Sequence, residues 1–199
     1  VCDALAEQGA SVAVADYDLD GATELAEKLN AHPAGNRAEA FYVDVRDTNS
    51  VHTCLQRVAE TFGQLDILVN ATYVPHGDPF DTISLEGVAE ALKGNVAGCF
   101  YLLREAKTYM KAGGSMVCFS SMYGSVAPDP RMYEKTPNPI EYGASKAAIE
   151  QMVRYLAVRW APEGIRVNSV APGPFPHKGL QEQDMKFIER LAAKVPMGR

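Results

Sequence analysis

The chain has 199 residues, 47% of them hydrophobic and 22% charged, a length and balance that suit one globular domain with a sizeable core and exclude a disordered or fibrous chain. Its formal net charge of −6 opposes the phosphate neutralisation that nucleic-acid binding needs, so no nucleic-acid partner is expected. No apolar run is long enough to span a bilayer and no signal peptide is visible, so no membrane partner is expected either.

Residues 1–9 read as the tail of a helix stopped at Gly9. Residues 11–15 are a nearly continuous apolar run, fit for a strand buried on both faces. A helix over 20–31 sets Leu25, Ala26 and Leu29 at helical spacing, and a strand follows at 38–44. Helix 47–62 carries Val51, Leu55, Val58 and Phe62 on one stripe. Next come a strand at 65–70, a long helix over 84–111 and a strand at 114–120. Residues 122–140 hold Pro128, Pro130, Pro137 and Pro139, a density that blocks both helix and central strand. Helix 141–161 ends near Pro162 and Gly164; a strand at 165–171, a loop at 172–179 and a last helix at 181–193 complete the chain.

This alternation predicts an α/β fold: a doubly wound parallel sheet, Rossmann-like, with helices on both faces, formed as a single domain over 1–199. Such sheets bind ligands at the carboxyl ends of their strands. Polar residues stand there in this sequence: Asp16, Asp44, Asn70, Ser121 and the Pro172-Gly173 turn. Cys2, Cys54, Cys99 and Cys118 form no CxxC pair and have no histidine at ligand spacing, so no metal site is expected. They read as reduced, mostly buried thiols of a cytoplasmic protein.

Tyr142 and Lys146 stand four residues apart in Tyr-Gly-Ala-Ser-Lys, on one face of a helix. A tyrosine is a poor base at neutral pH, and a nearby ammonium favours its phenolate, so the pair makes chemical sense as an acid/base. Ser121, after a buried strand, offers a hydroxyl to polarise a carbonyl or hold an alcohol. Asn95 lies inside the expected long helix, where a mediocre helix former invites a reason.

With these residues the sequence resembles the short-chain dehydrogenase/reductase family, in its compact single-domain branch. The matching segments are Asp16, Asp44-Val45, Ile67-Leu68-Val69-Asn70, Asn95, Ser120-Ser121, the Tyr142 to Lys146 motif, and Asn168-Ser169-Val170-Ala171-Pro172-Gly173, in family order. The resemblance implies NAD(H)-dependent interconversion of a secondary alcohol and a ketone. Hydride would pass directly between the substrate carbon and the nicotinamide ring. Tyr142 would be the general acid/base. Lys146 would lower its pKa and hold the nicotinamide ribose, Ser121 would orient the substrate oxygen, and Asn95 would help hold a relay water. Asp16 would accept from the adenosine ribose hydroxyls and repel a 2′-phosphate, which favours NAD over NADP. Arg37 is the nearest candidate phosphate partner in sequence, one helix away. Asp44, Val45, Asn70, Ala71, Pro172 and Gly173 would line the cofactor with Tyr142 and Lys146. Homodimers or homotetramers would form through helices 84–111 and 141–161.

The sequence departs from the family in three places. The glycine-rich phosphate loop and the strand before it are absent, so the chain reads as trimmed at both ends and is expected to bind dinucleotide poorly by itself. Asn70 is followed by Ala71-Thr72-Tyr73 where the family has Asn-Ala-Gly. The stretch from Ser121 to Tyr142 is longer than usual and is expected to rim the substrate pocket. Tyr123, Arg131, Tyr133 and Phe175 are candidate substrate contacts there, with Lys135, and His76 and His177 are further pocket candidates. The long loop resembles that of members acting on sugars or sugar acids, such as gluconate dehydrogenase-like proteins. An epimerase or dehydratase that retains its cofactor, or a non-catalytic cofactor-binding relative, is the alternative.

Overall fold

The structure is a computed structural model that describes residues 1–31, 37–76, 78–133, 138–176 and 178–198. Five strands form: β1 (Val12–Asp16), β2 (Ala38–Tyr42), β3 (Ile67–Asn70), β4 (Ser115–Phe119) and β5 (Arg166–Val170). All pairings are parallel, with Asp16 opposite Tyr42 in β1–β2 and Val117 opposite both Val69 and Asn168 in the other sheet. Helices α1 (Cys2–Glu7), α2 (Leu19–Asn30) and α3 (Thr48–Phe62) connect the early strands. Side-chain caps start them where the sequence offers short acids: Asp18 accepts from Gly21 N at the head of α2, and Asp47 from Asn49 N at the head of α3. Gly9 takes φ 89° just beyond α1, as its position predicts.

The strands form two sheets, β1-β2 and β3-β4-β5. The split falls where the family resemblance places another strand. Buried side chains form two clusters, and β2 contributes to both. Ala6, Val12, Val14, Ala22, Ala26 and Leu29 pack around β1-β2. The larger cluster joins Phe41, Val51 and Leu55 to Leu103, Met116, Ile149 and Val167. Trp160 is buried in this larger core. Within each sheet the strands run parallel, so Asp16 shares its carboxyl end with the residues after Tyr42, and Asn70 with the residues after Phe119 and Val170.

Two expected helices differ. The span 84–111 is α4 (Leu85–Leu92), a π-helical segment (Lys93–Gly98) and α5 (Cys99–Lys107), and it ends four residues early in a turn. Within the π segment, Gly98 lies against the Val45 carbonyl, and a Cβ there would overlap that oxygen. The wider turn is what brings Gly94, Asn95 and Gly98 to the buried side together. Gly98→Ala is therefore expected to cost about 1–3 kcal/mol of unfolding free energy, read by urea denaturation. A loss under about 0.5 kcal/mol would show that the helix slides to make room. The last helix, expected at 181–193, is instead α7 (Lys178–Gln183) and α8 (Met185–Ala193). Asp184 breaks it by capping α8, its carboxylate accepting from Phe187 N at 3.0 Å. The main helix, α6 (Ile140–Trp160), follows the expected bounds within a residue. No described helix is long and apolar enough to cross a membrane.

Candidate active site

Strand β4 delivers the first site residue. Ser120 Oγ lies 3.0 Å from both the Lys146 carbonyl and the Glu150 carboxylate, which ties the strand end to α6. Gly124 lets the following 3₁₀ turn (Met122–Gly124) lie on the α6 backbone, since a Cβ there would sit 2.9 Å from the Lys146 carbonyl carbon. Ser121 caps that turn, accepting from Tyr123 N at 3.2 Å. This bond uses a lone pair and leaves the buried hydroxyl its hydrogen to donate.

Tyr142 and Lys146 stand one turn apart on α6, as their spacing predicts. Lys146 is 5% exposed, and its Nζ donates to the Phe119 carbonyl at 2.9 Å. Burial pushes its ammonium below the ordinary lysine value, while the Cys99 and Cys118 thiols oppose that push. The Nζ also sits 5.6 Å from the centre of the Tyr142 ring and 5.7 Å from that of Tyr73. Tyr73 and Tyr142 meet edge to face, centroids 5.2 Å apart at 89°. Tyr73, which the sequence shows only as a departure from the family turn, thus packs against the Tyr142 and Lys146 pair.

Asn70 and Asn95 shape the turn that carries Tyr73. Asn70 Oδ1 accepts from Thr72 N at 3.1 Å and Thr72 Oγ1 at 2.8 Å, while its Nδ2 donates to Cys99 Sγ at 3.1 Å. Asn95 Oδ1 accepts from Val74 N at 2.7 Å and its Nδ2 donates to Val74 O at 2.8 Å. Both ends of the Asn95 amide are committed to backbone, so its side chain acts as a strut for the loop. Cys54, Cys99 and Cys118 are buried free thiols, and Cys2 is a half-buried one.

Ser121, Tyr142 and Gly173 open into one cleft of about 250 Å³. Tyr123, Tyr133 and Phe175, the candidate substrate contacts, line it. The Tyr123 and Tyr133 hydroxyls are 2.5 Å apart, and burial together with that bond pushes the Tyr123 phenol well up, so it stays neutral. Tyr133 also meets Phe187 of α8, ring centres 5.8 Å apart. Phe187, Leu191 and Asn138 line the cleft too, and nothing local in the sequence marked them. Asn138 Oδ1 is buried with no hydrogen-bond partner among the described residues, an acceptor left for a ligand.

Arg131 does not join them, contrary to expectation. Its Nε and Nη2 both donate to Asp129, at 2.9 Å each, and its side chain is 83% exposed. A carboxylate two residues away reaches the guanidinium before any substrate can. His76 pairs with Asp78 at 3.3 Å beside Gly87 and is outside the cleft lining. Lys135 and His177 lie outside the described residues.

The other carboxyl-end residues lie toward β1-β2 and β5. Asp16 is exposed at the end of β1, its carboxylate accepting from Asp18 N at 3.0 Å and keeping its other oxygen open to ligand donors. Asp44 is held by Arg46 through two bonds of 2.9 and 2.8 Å, and that guanidinium lies over the Tyr17 ring. Arg46 pushes the Asp44 carboxyl below the usual range. Arg37 sits at the opposite end of the strands, on Glu39 and the Thr61 carbonyl, whereas Arg46 lies over Tyr17, the residue after Asp16. Val45 turns its side chain into the core, which leaves its backbone for any ligand contact. Ala71 is exposed beside Asn70, and Pro172 O accepts from Met122 N at 3.2 Å. An exposed carboxylate, the strand-end amides and a buried lysine together fit a nucleotide laid across these ends.

Comparison with known proteins agrees. A family model described as Enoyl-(Acyl carrier protein) reductase matches residues 1–199. The cis-4-hydroxycyclohexanecarboxylate dehydrogenase of Sinomonas cyclohexanicum is 33% identical over 98% of this chain and 75% of its own length. The D-threitol dehydrogenase of Mycolicibacterium smegmatis is 32% identical over 100% of this chain and 74% of its own. A short chain dehydrogenase from Burkholderia cenocepacia J2315, solved in complex with NADP, is 28% identical with a TM-score of 0.82, over 98% of this chain and 76% of that one. With its parallel strands, its Ser121, Tyr142 and Lys146 cluster and these matches along its whole length, the chain belongs to the short-chain dehydrogenase/reductase family and is an oxidoreductase.

Proposed function

We propose that the protein is an NAD-dependent dehydrogenase/reductase that interconverts a secondary alcohol and a ketone on a compact cyclic polyol or hydroxycyclohexane-type substrate. The observation that carries this reading is the convergence of Ser121 and Tyr142 on one cleft, with Lys146 buried behind them. The nicotinamide, when bound, supplies or takes up the hydride. Ser121 donates its hydroxyl hydrogen to the substrate oxygen and holds it beside Tyr142. Tyr142 Oη gives the proton in reduction and takes it in oxidation. The Lys146 ammonium stabilises negative charge as it develops on that oxygen.

The cleft walls argue for the substrate class. Tyr123, Tyr133, Phe175 and Phe187 offer apolar faces for a ring, and Asn138 offers one polar contact. The two dehydrogenases reported above are named for a hydroxylated cyclohexane acid and a small polyol, which supports a hydroxylated substrate.

The NAD preference rests on Asp16, exposed at the end of β1, and on the commitment of Arg46 to Asp44. A carboxylate accepts from both ribose hydroxyls and repels a 2′-phosphate. In the full-length protein, assayed by nicotinamide absorbance with a panel of cyclic alcohols, polyols and their ketones, NAD is expected to outperform NADP. Asp16→Ala is expected to cut kcat/KM for NAD by about 10- to 100-fold and to narrow the preference. A native preference for NADP would overturn the assignment and point to Arg46 as the phosphate partner. Self-association through α5 and α6, where Phe100, Tyr155 and Val158 are exposed, belongs to the same reading.

A further inference from the structure

Tyr73 stands where the family turn has a glycine, and although 37% of it is exposed its ring is held in place. Its neighbours on both sides are pinned: Thr72 by Asn70 through two bonds, and Val74 by Asn95 through two more. A backbone held so closely presents the side chain in a fixed direction. That direction is onto the Tyr142 ring edge and the Lys146 ammonium. Burial pushes the Tyr73 phenol above its ordinary value, so it meets the cation as a neutral ring.

Lys146 shows why this matters. A buried ammonium needs substitutes for water, and its bond to the Phe119 carbonyl uses one of its three hydrogens. The faces of Tyr73 and Tyr142, at 5.7 and 5.6 Å, supply further compensation. Without Tyr73 the cation would have one face and would lean toward water, away from the phenol whose charge it stabilises.

We propose that Tyr73 is a positioning residue of the catalytic pair, sharing the Lys146 ammonium with Tyr142 and fixing the Tyr142 ring by edge-to-face contact. This inference rests on the oxidoreductase reading for its kinetic part, but its contact can be tested without substrate. Two ring faces shift the Lys146 ε-methylene proton resonance upfield, and that resonance is assignable in lysine-labelled full-length protein by comparison with Lys146→Arg. Tyr73→Leu is expected to return a large part of the shift, and Tyr73→Phe to keep it. In steady state, Tyr73→Leu is expected to lower kcat by about 5- to 30-fold with KM within about twofold, and Tyr73→Phe to restore it, as one partly desolvated cation–π contact implies.

A methylene resonance indifferent to Tyr73→Leu, or a kcat for that variant within about twofold of wild type, would overturn the inference. A protein inert with every alcohol and ketone tried, whose resonance still moves in Tyr73→Leu and holds in Tyr73→Phe, would overturn the oxidoreductase reading and support the contact. A hydroxyl-specific role for Tyr73 would show as loss of activity in Tyr73→Phe as well, which also counts against a positioning role carried by the ring.

Discussion

Replacing Tyr142 by Phe is expected to lower turnover by about two orders of magnitude or more, with KM changed by no more than about threefold. The substitution removes one oxygen and keeps the ring. The edge-to-face contact with Tyr73 and the face offered to Lys146 both survive it. Stability is therefore expected to stay within about 0.5 kcal/mol of wild type. A loss of rate without a loss of packing isolates the proton transfer at Tyr142 Oη. Steady-state kinetics with the substrate panel, in both directions, check it. Turnover close to that of wild type would sink the assignment of Tyr142 as the acid/base.

Lys146→Met is expected to separate activity from stability in the opposite way. Turnover should fall by about two to three orders of magnitude, because the charge that stabilises the developing phenolate is gone. The fold, however, should gain. Burial lowers the folded-state value of Lys146 below that of an unfolded lysine. Below the folded value both states are protonated and the full cost of a buried ammonium is present. Between the folded and unfolded values the unfolded chain binds more protons, so wild-type stability rises with pH until the cost is gone. Methionine fills the same space with no charge to desolvate. At pH 7 the variant is expected to melt about 2–4 °C above wild type, a gain of roughly 1 kcal/mol. That gap should close as pH approaches the unfolded lysine value near ~10.4. Calorimetry at several pH values tests it, and a variant less stable than wild type at pH 7 would refute the claim that Lys146 costs the fold.

The fold was legible because its signals are local and repeated. Short apolar runs such as Val12-Ala13-Val14-Ala15, each followed by a polar residue and then a 3.6-period helix, dictate parallel strands with their carboxyl ends together. Ser121, Tyr142 and Lys146 were legible for a similar reason, since the strand end and the helical spacing of four place them without distant contacts. What escaped is set by contacts far along the chain. The π-helical segment at Lys93–Gly98 depends on Val45 and Val74, each more than twenty residues before the residue it meets. Tyr73 and Tyr142 are 69 positions apart, so no periodicity could pair them. The glycine missing from the turn was the one trace of it. Asn138 and Phe187 reach the cleft from a loop and from α8, elements whose direction local pattern does not fix. The misread Arg131 had its answer nearby: Asp129-Pro130-Arg131 places an acid two residues before the base, a spacing that ties them together.

The separation between the nucleotide-end residues and the reacting cluster carries a practical consequence. Asp16, Tyr17, Asp44 and Arg46 belong to the β1-β2 side, while Ser121, Tyr142, Lys146 and the cleft belong to β3-β4-β5 and α6. Among the described residues no hydrogen bond, ion pair or ring contact joins the two sets directly. Substitutions in one set that leave the packing of Val45 against Gly98 intact should combine additively with those in the other. The nucleotide preference could be rewritten in the first 46 residues while the reaction and its substrate are left alone, and a new substrate could be sought around Tyr133 and Phe187 without returning to the nucleotide. For anyone wishing to retool the protein, these are two independent dials on one scaffold.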